Sequence, residues 1–140
     1  MTNPAPDRAD LLARIARDRG VVHPNLTIAA RFDPTVLEHF HDSYSWAVHG
    51  NDTLDRKTKE LIMLAADAAV YFEYGCQFHI GEALRHGATV GEIVAALELV
   101  GLVGGFHVPM MAFPLLEKVL STDEFAHLAV DYPIVGTDAP

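Results

Sequence analysis

Two apolar runs, Leu61 to Phe72 and Ile93 to Phe106, constrain this chain more than any other feature, and each is interrupted once by a carboxylate, Asp67 or Glu98. Broken in this way, neither offers the roughly 20 apolar residues that cross a bilayer as a helix. Both must therefore find cover in protein. The spacing around them is helical, and β-branched alternation over strand-length windows is scarce, so the chain reads as all-α.

Helix punctuation divides it further. Asp7 to Arg19 carries Leu11, Leu12 and Ile15 at helical spacing and stops at Gly20. Asp33-Pro34 opens a second helix that runs to His49, with Gly50 closing it. A third begins near Leu54-Asp55 and continues through Ala68; its second half is apolar nearly all round, which implies burial on most sides. Tyr74-Gly75 reads as a break, with a fourth helix from Cys76 to His86 closed by Gly87. Thr89 to Glu92 forms a capping box for a fifth, Val90 to Val103, and Gly104-Gly105 separates it from a last helix, about Pro109 to Leu120. The expectation is a bundle of about six helices. No repeat or linker divides the sequence, so residues 1–140 read as one domain with a core at about 34–120 and loose, Pro-rich ends.

Charge narrows the function classes. Ten Lys and Arg face nineteen Asp and Glu, a net charge of −9, which argues against nucleic-acid and anionic-membrane partners. A single cysteine excludes an internal disulfide framework, and with no basic and apolar leader visible the chain reads as cytoplasmic.

Three places hold polar groups that a packed helical core would not choose. Glu60 stands near the start of the third helix, and at 100° per residue Leu64, Asp67 and Tyr71 follow it on one face. Glu60 is either a first-turn carboxylate favoured by the helix dipole or part of a site. Asp67, if buried, needs a partner, and Arg or Lys is the expected one. Cys76 and His79 are three apart on one helix face; at a helix N-terminus the dipole would favour a Cys76 thiolate, whereas a core cysteine would be inert. The eight histidines show no metal-ligand spacing, so no metal is expected. Last, Gly104-Gly105 precedes His107, which is placed either at the mouth of the bundle or in an ordinary interhelical turn.

The run LDRKTKELIMLAADAAVYFEYGCQFHIGEALRHGATVGEIVAALELVGLVGG, Leu54 to Gly105, resembles the carboxymuconolactone decarboxylase family, which also includes the alkylhydroperoxidase D-like proteins. The resemblance rests on the KEL that opens the apolar helix, on His79 followed eight residues later by Gly87-Ala88-Thr89, and on the EI after it. The preceding DPTVLEHF helix extends it weakly. The peroxidase branch of that family carries CxxC ahead of its histidine. Anchored on His79, those cysteines would fall at Phe72 and Gly75, and neither position is cysteine. The family's glutamate precedes its histidine by nineteen residues, the interval from Glu60 to His79.

What the resemblance implies is a cofactor-free carboxy-lyase-like enzyme. Its Glu60 and His79 would form a proton relay for loss of CO₂ from, or proton transfer on, a lactone-like or keto-acid small molecule. Cys76, His107, Tyr74 and Asp67 are candidate substrate-binding residues. Arg85 is expected on the solvent side, and nothing places Arg31 or Lys57 in the pocket, so the substrate is less anionic than the family name suggests. The alternatives are a thiol peroxidase or redox role through Cys76, and a non-catalytic oligomer that binds a small ligand. Half of the residues are apolar, generous for a small acidic monomer, which predicts a homo-oligomer, trimer or hexamer by the resemblance.

Overall fold

Most of the helices start where a side chain can satisfy the free N–H groups of a first turn. The computed structural model describes residues 4–131, and among these it contains helices and no strand. They fall into two compact units divided between Thr53 and Leu54.

The N-terminal unit holds α1 (Arg8–Arg19), α2 (Pro24–Phe32) and α3 (Pro34–Ser45), followed by a π-helical turn, Trp46–Gly50. Asp7 caps α1 by accepting from the N–H groups of Ala9 and Asp10, and Gly20 ends it in the left-handed conformation. Leu11, Ile15, Ala30 and Leu37 form the small core. Helix α2 is absent from the expectation drawn on the sequence. It is short, and its N-cap is the side chain of His23, a residue type that rarely signals a helix start. The helix expected to run from Pro34 to His49 instead becomes π-helical after Ser45.

The C-terminal unit holds α4 (Arg56–Ala69), α5 (Glu73–Arg85), α6 (Val90–Gly104) and α7 (His107–Leu120), then a 3₁₀ segment, Ala126–Asp131. Asp55 caps α4 through the N–H of Thr58. The capping box of α6 forms in full: Thr89 Oγ1 accepts from the N–H of Glu92 at 3.1 Å, and Glu92 Oε2 accepts from the N–H of Thr89 at 2.8 Å. Leu64, Ala68, Cys76, Ile80, Ile93, Leu97, Val108 and Ala112 build the core between these helices.

One expectation is corrected here. The break between α4 and α5 lies at Val70–Phe72, not at Tyr74-Gly75, and α5 begins at Glu73 rather than Cys76. Tyr71 makes the reversal with φ of 58°, a left-handed conformation that a side chain adopts only at a cost, and its ring stacks on His107. Gly75 is inside the helix. Within the chain the outer row of α6 is open, with Leu102 and Val103 83% and 93% exposed, and Ile62 of α4 is exposed as well. No described helix is long and apolar enough to cross a membrane.

Candidate active site

Glu60 sits on the fifth residue of α4, past the first turn, so the helix dipole does not explain it. Its side chain is wholly buried, with 0% exposure. Glu60 Oε2 lies 2.6 Å from Nδ1 of His79 on α5. Oε1 accepts from Nε of Arg56 at 2.5 Å, one helical turn back on α4. Burial alone would raise the carboxyl pKa. The hydrogen bonds from His79 and Arg56 overcome that and hold Glu60 below the ordinary glutamate value. An ionised carboxylate only accepts, so His79 carries its proton on Nδ1 and turns Nε2 away from Glu60.

On the far side of the ring stands Asp67. His79 is 9% exposed, and its Nε2 faces Oδ2 of Asp67, 3.6 Å away and 24% exposed. Asp67 thus meets the imidazole rather than the expected Arg or Lys. Burial raises its pKa above the ordinary aspartate value, a rise that the nearby His79 partly opposes. The ring of Phe78 meets His79 edge-on at 5.1 Å and stacks with Tyr74 at 6.4 Å. Tyr74 in turn meets Phe72 edge-on at 6.1 Å, and both Phe72 and Tyr74 are exposed. A chain of rings leads from the surface to the imidazole.

The remaining candidates separate. Cys76 is fully enclosed among core side chains, which leaves it no face for a substrate. It lies one turn inside α5, and its N–H is already bonded to the Phe72 carbonyl, so the helix terminus does not activate it. Burial, with Asp67 and Glu73 nearby, pushes the thiol up to about 11. His107 is exposed at the start of α7 and makes its ring contact with Tyr71, not with His79. Lys57 is held by Glu92 at 2.8 Å, and Arg85 is bound through two nitrogens by Glu124.

Arg56 is the functional candidate that sequence reasoning missed. Its signal was available, since it precedes Glu60 by four residues and so lies on the same helix face. A second nitrogen of Arg56 lies 3.4 Å from Glu82, which also binds Arg85 at 2.6 Å. The buried carboxylate is thereby tied to a surface ion network. In the N-terminal unit His41 is also buried, but Asp18 at 2.8 Å and Ser45 at 3.4 Å both address its Nε2. Serine and carboxylate compete there for one nitrogen, which is not the arrangement of a serine nucleophile with its base. Among the described residues no group of three His, Cys, Asp or Glu side chains is placed to hold a metal ion.

Two measurements check this electrostatic picture. At pH 8 a thiol with a pKa of about 11 is ionised to only about 0.1%, against about a quarter for an ordinary thiol. Iodoacetamide should therefore label Cys76 at least ~100-fold more slowly in the folded chain than in guanidinium; comparable rates would contradict its enclosure. Because Glu60 is lowered on folding, the stability it adds is present above the ordinary glutamate range and is lost as pH falls through its folded value. Arg56→Ala removes one stabilising partner and brings that loss to higher pH. The acid-unfolding midpoint followed by circular dichroism should move upward, and an unmoved midpoint would deny Arg56 this role.

No curated protein and no solved structure matches the chain. The carboxymuconolactone decarboxylase family does, over residues 36–118. With more than half of the sequence covered, and with Glu60 and His79 both inside that span, the chain belongs to the carboxymuconolactone decarboxylase family.

Proposed function

We propose that this chain is a cofactor-free acid–base enzyme that decarboxylates, or otherwise moves a proton on, a lactone-like or keto-acid small molecule. The observation that carries this reading is the 2.6 Å contact of buried Glu60 with His79 Nδ1, which leaves Nε2 as the nitrogen that Glu60 does not hold. An imidazole oriented in this way accepts or donates a proton at one defined atom. Loss of CO₂ from a β-keto-type or lactone acid leaves an enolate-like carbanion, and that carbon needs a proton at the moment its electrons become free.

The surroundings bear on the substrate. Rings of Phe72, Tyr74 and Phe78 line the approach, while Arg56 is engaged behind the imidazole by Glu60. Such an opening suits a largely apolar ring with at most one carboxylate, since each buried anion calls for its own cationic partner. The enclosed, high-pKa thiol of Cys76 weighs against a peroxidase role. A non-catalytic binder was expected to leave His79 without a carboxylate neighbour, and the Glu60–His79 contact weighs against it.

Self-association is part of the same reading. The groove between α4 and α6, about 480 Å³, is lined by Leu61, Ile62, Ala65, Ala69, Leu99 and Val103 among others. Nothing charged lines it, so its occupant is apolar. Leu102 and Val103 at the end of α6, with Phe106 just before α7, are exposed side chains of matching chemistry, and a second copy of this chain supplies them. By resemblance the assembly is a trimer or hexamer.

The catalytic reading is tested on a panel of lactone acids and β-keto acids in deuterated water, with CO₂ release and deuterium incorporation followed together. For the substrate so found, His79→Ala and Glu60→Gln should each lower kcat by about 10²–10⁴-fold. Full turnover by both variants would sink the relay. Sedimentation should give an oligomer that the double change Leu102→Glu and Val103→Glu dissociates, whereas a monomeric mass for the unaltered chain at micromolar concentration refutes the assembly.

A further inference from the structure

The Glu60–His79 pair does not account for Asp67. Its backbone ends α4, the carbonyl accepting from the N–H groups of Val70 and Phe72 at 3.3 and 2.9 Å. Its side chain turns toward the first turn of α5, into space that exists only because residue 75 is glycine. A Cβ on Gly75 would overlap the Asp67 carboxylate and stand 2.5 Å from the Phe72 ring. No turn geometry requires a glycine here, since Gly75 lies within a helix and is not among the positive-φ residues. The missing side chain serves close approach. It lets Asp67 Oδ2 stand 3.6 Å from the outward nitrogen of His79, so that one imidazole lies between two carboxyl groups, Glu60 on Nδ1 and Asp67 on Nε2.

The two carboxyl groups are differently placed. Glu60 is sealed in and receives hydrogen bonds from two cationic or potentially cationic side chains, Arg56 and His79. Among the described residues the only ion-pair partner of Asp67 is His79, and its side chain reaches the opening. Environments that push two carboxyl groups apart mark one as the fixed anion and the other as the proton carrier. The burial that raises Asp67 and the ion pairing that lowers Glu60 run in those directions. The other titratable group that Asp67 acts on is Cys76 of α5, whose thiol burial, Asp67 and Glu73 together push up.

We propose that Asp67 is the catalytic acid of this site, standing beside His79 Nε2 and delivering its own proton to the substrate, with Gly75 as the residue that makes room for it. The proposal rests on the acid–base reading above and assigns the donor within it. In a decarboxylation, the electron pair of the broken carbon–carboxylate bond takes the proton from Asp67 Oδ2 to form a C–H bond, and CO₂ departs. Asp67 is left as a carboxylate facing the imidazole and is reprotonated by water at its exposed edge. One proton is consumed from solvent in each turnover, and no oxidant or reductant enters.

The test has one arm that needs no substrate. The carboxyl ¹³C signal of Asp67 is followed by NMR from pH 3 to 8 in the unaltered chain, in His79→Gln and in Gly75→Ala. The midpoint should lie above that of an ordinary aspartate, rise further in His79→Gln as the opposing imidazole is lost, and return toward the ordinary range in Gly75→Ala as the carboxyl is displaced into solvent. An ordinary midpoint indifferent to both changes overturns the assignment, whether or not a substrate has been found. In the second arm, Asp67→Asn keeps size and removes the proton. It should lower kcat at least ~100-fold with KM nearly unchanged, abolish one limb of the pH profile and leave thermal unfolding in place. Gly75→Ala should impair turnover in the same way, and adding it to Asp67→Asn should cost little more. If Asp67→Asn retains kcat while His79→Ala loses it, the acid–base reading stands and Asp67 is not its acid.

Discussion

A single buried carboxylate sets the terms for the C-terminal unit. Glu60 on α4 is enclosed by protein and held by Arg56 from its own helix and by His79 from the next. Removing one partner from a buried ion pair typically costs about 3–5 kcal/mol, because the remaining charge is left without compensation. The contact therefore locks the rotation of α4 against α5 as firmly as the apolar side chains around it, and the same bond fixes which imidazole nitrogen points outward.

The reversal after α4 keeps the two helices side by side. The chain turns within Val70–Phe72, with Tyr71 in a left-handed conformation and stacked on His107. So tight a return sets the end of α4 beside the start of α5, where Gly75 admits the Asp67 carboxylate. Glycine has two uses in this unit. Gly105, with φ of 97°, ends α6 and turns the chain into α7, whereas Gly75 leaves the backbone helical and vacates a side-chain volume. In the peroxidase branch of the family, as the resemblance aligns it, position 75 would carry a thiol; here a carboxyl group from α4 takes that space.

The surface reflects a second constraint. Helix α6 is apolar on nearly every face, yet the core of its own unit covers only the side of Ile93 and Leu97. Leu99, Leu102 and Val103 stay exposed beside an uncharged groove. Exposed aliphatic surface in a contiguous row is costly in water and is commonly relieved by association.

Much of this was legible without coordinates. Helix periodicity, the caps at Asp33 and Thr89, and the nineteen-residue interval from Glu60 to His79 are local or register properties, and these the sequence determined by itself. It also marked Asp67 as a carboxylate in the wrong company. What it could not carry was contact across elements. Gly75 looked like a break because glycine's usual role is a turn, and only the packing of α4 on α5 reveals that its value lies in the missing Cβ. Cys76 stayed open between a helix-terminal thiol and a core residue, because one turn of difference in the start of α5 decides between the two. Arg56 went unread because an i, i+4 ion pair gains meaning only once the carboxylate it holds is buried. Which carboxyl group faces Nδ1 and which faces Nε2 is a matter of side-chain direction in three dimensions, and the tertiary structure alone decided it.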